Sequence, residues 1–270
     1  MKISARFAVS FLAILASSSV IAQETWRVLD PENTLIIDTS KGRLVLEMRP
    51  DMAPKSVERV KLLTREKVYD SLQFHRVIAN FVAQTGNPNN RDGGGTSHPN
   101  LAPEMIFEQK LNSGEIVASN SSDSVSGFLG SVPFQATPIT ELIKNTNGSV
   151  RAWGAYCPGV AGMGRGEERD SANSELFFML DSVRRLDRDY TVFGRIVVGM
   201  DVLKAINLGE PPAKPDIMKS VRLLADIPAA ERPKISVMTG TSLSAEIEKT
   251  RQQKGADFTV CDVVISSKVE

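Results

Sequence analysis

Polar and apolar residues alternate through Arg43-Leu44-Val45-Leu46-Glu47-Met48, which places Leu44, Leu46 and Met48 on one face of a strand. Chains with repeated short runs of this kind build sheets. Leu35-Ile36-Ile37, followed by Ser40-Lys41-Gly42 as a turn, makes Thr34 to Met48 a hairpin. Leu72 to Ile78 alternates as well, with Leu72, Phe74, Arg76 and Ile78 on one face and Gln73, His75 and Val77 on the other. An arginine on an apolar face needs an explanation. Further strands are predicted at Leu176–Leu180 and Tyr190–Val198. Helical spacing occurs over Asp51–Leu63, with Pro54 suited to the first turn and Val57, Val60 and Leu63 on one side, and again over Val202–Ile206.

Between these elements, Asn87–Gly95 and Ser119–Gly130 read as loop, and the stretch from about 106 to 158 reads as a loop insertion. Pro211-Pro212 and Pro215 break the chain. Residues 208–270 then form a C-terminal α/β extension: strands at Val221–Ala225 and Ile235–Met238, a helix over Leu243–Lys254 stopped by Gly255, and a last strand over Phe258–Ile265.

The first 22 residues have the form of a secretory signal, with Lys2 and Arg6 before and beside an apolar run from Phe7 to Ala16 and small Ala22 at the end. The run is shorter than the roughly 20 residues that a spanning helix needs, and no later run reaches that length, so no membrane span is expected in the mature chain. Equal numbers of basic and acidic residues, 32 each in 270, argue against nucleic acid as a partner. Two cysteines and two histidines, His75 and His98, are too few for a structural zinc site, and no metal or cofactor is expected. Cys157 and Cys261, an even count in an exported chain, are expected to form a disulfide.

Phe74-His75-Arg76-Val77-Ile78, followed by Phe81 and Gln84, resembles the cyclophilin family of peptidyl-prolyl isomerases. Ala53-Pro54-Lys55-Ser56-Val57-Glu58 is similar to that family's first helix entry, Gly162-Met163-Gly164-Arg165 to its substrate-side loop, and Ser171 through Phe178 to its central strand. Leu186-Asp187 through Tyr190 to Val192-Phe193-Gly194 is similar to the strand that completes the pocket. The resemblance implies an eight-stranded antiparallel β-barrel capped by two α-helices over residues 23–207, binding extended peptide in an outer groove. It also implies roles: Arg76, Phe81 and Gln84 for catalysis, with Val82, Gly164, Arg165, Glu175, Phe177, Leu186 and Tyr190 in contact with substrate.

The chemistry is consistent with those residue types. An X-Pro bond turns slowly because amide resonance must break, and at the twisted midpoint the prolyl nitrogen regains a lone pair. Arg76 keeps its proton and offers several donors, so it can bind that midpoint better than either planar form. Four positions depart from the family pattern: Arg165 stands where many members have Asn, Glu175 where Gln is usual, Arg185 where many have Trp and Tyr190 where many have His. Glu175 is expected to pair with Arg76. The expected substrates are proline-containing unfolded or flexible polypeptides in the periplasm or outside the cell, with the protein acting as a monomer. The alternative reading is a peptide-binding or chaperone module on the same fold with little turnover.

Overall fold

The computed structural model describes residues 25–110, 115–138, 140 and 148–270; the expected signal segment lies outside them. In chain order the first described strands are β1 (Trp26–Val28), β2 (Thr34–Thr39), β3 (Arg43–Met48), β4 (Arg76–Ile78), β5 (Val82–Thr85), β6 (Phe107–Lys110), β7 (Glu115–Asn120) and β8 (Val125–Leu129). They are followed by β9 (Val132–Ala136), β10 (Ser149–Gly154), β11 (Val160–Met163), β12 (Leu176–Met179), β13 (Val192–Val198), β14 (Met218–Leu223), β15 (Ile235–Met238) and β16 (Ser267–Val269). The helices are α1 (Pro54–Arg65), α2 (Met200–Lys204) and α3 (Gly240–Lys254).

Eight strands form one antiparallel sheet in the order β14-β2-β3-β13-β11-β12-β5-β4. The sheet curls until its edges meet: Ser71 N donates to Met218 O at 2.7 Å, Met218 N to Leu72 O at 2.9 Å and Phe74 N to Asp216 O at 2.8 Å. Closing the edges leaves no open ladder at that seam. The predicted hairpin forms, with Leu35 opposite Leu46 and Ile37 opposite Leu44, and these four side chains are wholly buried in the barrel core. Val57, Val60 and Leu63 of α1 cover one opening, and Leu203 and Ile206, in and just beyond α2, join the same core. The first turn of α1 is anchored from a distance, since the Glu104 carboxylate accepts from Lys55 N at 2.9 Å and Ser56 N at 2.8 Å.

Three expectations need correction. The stretch from 106 to 158 is not a loop insertion: it carries a five-stranded antiparallel sheet, ordered β6-β10-β9-β8-β7. Its Val125, Phe128, Val132 and Phe134 are buried in a second core shared with Phe177 and Val192 of the barrel's outer face and with Leu243 and Ile247 of α3. The C-terminal extension does not begin at 208, because β14 is an edge strand of the barrel sheet and pairs with β2. No strand covers Phe258–Ile265. There the Asp262 carboxylate accepts from Thr259 N and Oγ1 at 2.8 and 2.7 Å, which folds the chain into a tight turn, and β16 follows it.

Beyond the barrel, β15 pairs with β1 on one side and β16 on the other. Ile235 and Val237 pack on Ile36 and Val45, so both faces of β3 are covered, not one. The Cys157–Cys261 disulfide forms, joining the segment after β10 to the C-terminal segment across a span of 104 residues. A closure of that length removes roughly 4.7 kcal/mol of unfolded-state entropy in the chain-entropy account. Thiol titration of the denatured, unreduced protein is therefore expected to find no free thiol.

Glu47 on β3 ties these layers together. Its buried carboxylate accepts from Arg27 of the N-terminal strand at 2.6 Å and from Ser131 N, between β8 and β9, at 3.1 Å. Across the ladder stands Arg195, which donates to the carbonyls of Pro158 and Ser131. Burial lowers the Arg195 pKa to about 10, and the Glu47 charge opposes that effect. Glu47→Ala leaves Arg27 and a buried N–H without their acceptor and takes an opposing charge away from buried Arg195, and is expected to cost about 3–5 kcal/mol in urea unfolding. A loss below about 1 kcal/mol would mean that the carboxylate does not couple the layers.

Candidate active site

Register builds the site. Arg76 stands opposite Gln84, Gln84 opposite Phe177 and Phe177 opposite Gly162, one row across four adjacent strands. Their chain neighbours Val77, Ala83, Phe178 and Ala161 point into the barrel core. Period two then turns Arg76, Gln84 and Phe177 outward. The sequence pattern had put Arg76 on the same face as Leu72 and Phe74, but Leu72, Phe74 and Val77 all lie in the core. Regular strand begins only at Arg76, so the alternation changes phase between Phe74 and Val77 and the arginine leaves the apolar face.

The row opens onto a hollow of about 440 Å³. All ten candidate residues line it: Arg76, Phe81, Val82, Gln84, Gly164, Arg165, Glu175, Phe177, Leu186 and Tyr190. The Phe177 ring is fixed between Tyr156, stacked at 5.6 Å, and Tyr190, edge-on at 5.7 Å. A Cβ at Gly162 would collide with that ring, so glycine is required beneath it. The Arg165 guanidinium lies 4.3 Å from the Tyr190 ring centroid and pairs with Asp189 at 3.2 Å.

Arg76 is held on two sides. Its Nε donates to Glu210 at 2.7 Å and a terminal nitrogen donates to Gln84 Oε1 at 3.0 Å, while the guanidinium carbon sits 5.7 Å from the Phe81 ring centroid. The expected Glu175–Arg76 pair does not form. Glu175 accepts instead from Gln84 Nε2 and from Asn87 Nδ2. Gln84 Nε2 also donates to Asp92 Oδ1 at 3.0 Å, so both amide hydrogens are taken by carboxylates. The Glu175 pKa is raised to about 7, chiefly by burial and also by nearby Asp92, against the hydrogen bonds from Gln84 and Asn87. His75, also buried, is held below the usual histidine range by desolvation, with Asp92 at 3.2 Å opposing. His75, Asp92 and Glu175 place three ligand atoms within 4.8 Å of one another, a grouping that could hold a cation.

Asp92, Gly93, Gly166 and Glu167 also line the hollow and were not singled out from the sequence, nor was Glu210. Asp92 sits in an Asn/Asp/Gly run that reads only as loop, and Glu210 lies between α2 and β14, where Gly209 bridges to Val77 and brings it beside Arg76. Neither carries a local signal.

A sequence model described as cyclophilin type peptidyl-prolyl cis-trans isomerase/CLD matches residues 34–224. The chain belongs to the cyclophilin-type peptidyl-prolyl cis-trans isomerase family. A probable peptidyl-prolyl cis-trans isomerase of Brucella suis is 34% identical over 217 residues, which cover 76% of this chain and 85% of that relative. Peptidyl-prolyl cis-trans isomerase ppi1 of Schizosaccharomyces pombe is 28% identical over 193 residues, 69% of this chain and 97% of the relative. The crystal structure of cyclophilin AquaCyp293 from Hirschia baltica superposes with a TM-score of 0.83 at 30% identity, covering 91% of this chain and 93% of that one.

The raised Glu175 pKa has a definite sign. The unfolded carboxyl ionises near 4.5 and the folded one near 7, so between those values the folded state binds more protons and stability falls as pH rises. The full penalty, on the order of 3 kcal/mol, is present above pH 7. Glu175→Gln removes it. The variant is expected to melt higher than wild type at pH 8, with the gain shrinking to nothing near pH 4, in calorimetry across that range.

Proposed function

We propose that the hollow accelerates rotation about X-Pro bonds by binding the twisted amide without covalent chemistry. The proline ring would sit among Phe81, Val82, Phe177, Leu186 and Tyr190, and Arg76 would donate to the prolyl nitrogen as it becomes pyramidal. The observation that carries this reading is the position of Arg76 at the edge of an apolar hollow, braced by Gln84 and Glu210. A braced donor needs little reorganisation when the lone pair appears, and apolar walls strengthen its pull by excluding water. Shortening tens of seconds to milliseconds asks for a factor of about 10⁴, roughly 5.5 kcal/mol, within reach of one charged donor and a few desolvated contacts. Gly164 and Arg165 would line the path of the peptide next to the proline.

The protein would act on flexible polypeptides after export, with the first 22 residues removed. The N-terminal pattern and the disulfide support an oxidising compartment. No described helix is long and apolar enough to cross a membrane. A second reading, a peptide-binding module with little turnover, is favoured by one feature: Gln84 has no free amide hydrogen to offer a substrate carbonyl.

Exchange NMR on a short proline peptide separates the two readings. Wild type is expected to catalyse cis/trans exchange, and Arg76→Ala to lose about 10²–10³-fold in kcat/KM with its melting temperature little changed. Peptide binding by a wild type without catalysis would favour the binding module.

A further inference from the structure

The charge left unmatched in this site is negative. Five charged side chains line the hollow: Arg76, Arg165, Asp92, Glu167 and Glu175. Both arginines have carboxylates outside the lining, Glu210 at 2.7 Å and Asp189 at 3.2 Å. The three carboxylates are less well served. Asp92 reaches Arg76 only at 3.9 Å and His75 at 3.2 Å, and the one basic group within 4 Å of Glu175 among the described residues is that same His75, at 3.9 Å. No described ion pair engages Glu167. Glu175 is itself buried, and its hydrogen-bond partners are the neutral amides of Gln84 and Asn87.

A second hollow of about 300 Å³ lies alongside the first, and Gly93, Gly164, Arg165, Gly166 and Glu175 line both. Glu175 therefore stands in the partition. A Cβ at Gly164 would collide with the Glu175 side chain, so on that side only the backbone of a glycine fits against it. The remainder of the second hollow is polar, including Thr96, Asn100 and Asn173.

Resting on the isomerase reading, we propose that this partition is a subsite for a cationic side chain, and that the preferred substrates carry lysine or arginine a few residues from the proline. An extended peptide with its proline in the first hollow passes a neighbouring side chain over the second, where a long aliphatic stem can lie along the wall and bring its charged head to Glu175 and Asp92. The same contact acts on catalysis. An ammonium group that takes over the two carboxylates releases Gln84 Nε2 from both, leaving its hydrogens free for the substrate backbone.

The test is a set of proline hexapeptides with lysine, norleucine or glutamate at each position in turn, assayed by exchange NMR with EDTA present to remove divalent ions. At one position wild type is expected to favour lysine over norleucine by about tenfold in kcat/KM, with glutamate below norleucine. Glu175→Gln and Asp92→Asn should shrink that ratio to within about threefold, as should raised salt. Chemical-shift titration with the same peptides reads the preference independently of turnover, and melting curves check that the variants fold. Equal lysine and norleucine values at every position, in an enzyme that turns over both, would overturn the subsite and leave the isomerase intact. Failure to turn over any peptide would count against the isomerase reading, and the titration would still decide for or against the cation.

Discussion

One row of opposed residues, Arg76, Gln84, Phe177 and Gly162, decides what this molecule can do. In an antiparallel sheet, opposed residues share a face, so a single register fixes a cation, an amide, an aromatic ring and a gap side by side. A slip of one residue in any of the three ladders would turn one member into the barrel core. The core forbids that slip, because Val77, Ala83, Phe178 and Ala161 fill it from the same strands. Barrel packing and site geometry are thus one constraint viewed from two sides of the sheet.

The outer face of the barrel is then built over more heavily than the barrel alone requires. The five-stranded sheet and α3 enclose a second core against Phe177 and Val192, and the three-stranded sheet covers Ile36 and Val45. Phe177 belongs both to that second core and to the wall of the hollow. The layers meet at the Glu47 carboxylate and are joined a second time at Cys157–Cys261. A polar knot of this kind contributes less net stability than its hydrogen bonds suggest, since the charges had to be desolvated. Its contribution is to fix how the layers sit.

At the hollow the same economy of charge is incomplete. Glu175 occupies a buried place where its ionised form is disfavoured, and its partners are amides, not cations. The arrangement costs stability above neutral pH and occupies the hydrogens of Gln84. Strain of this sort at a binding site is acceptable when a ligand relieves it, and a substrate cation supplies the charge that the protein omits.

The sequence by itself determined the barrel's repeating parts and the chemistry of its site. Apolar runs and alternation gave β2, β3 and β15 close to their true bounds, the spacing of Val57, Val60 and Leu63 gave α1, and the family resemblance carried by the short blocks between Phe74 and Gly194 named ten residues that line one hollow. These are legible because period and local motif are properties of neighbouring residues. Only the tertiary structure decided the rest. The facing of Arg76 depends on where regular strand begins, the pairing of Glu210 with Arg76 spans 134 residues, and the contact of Glu175 with Gln84 spans 91. The 106–158 segment hid its strands because many of their buried positions are glycine, alanine or serine, among them Gly127, Ala136, Ser149 and Ala152, which give little local hydrophobic signal. Long-range partners are chosen by closure of the sheet and by charge balance in its interior, and neither quantity exists until the chain has folded.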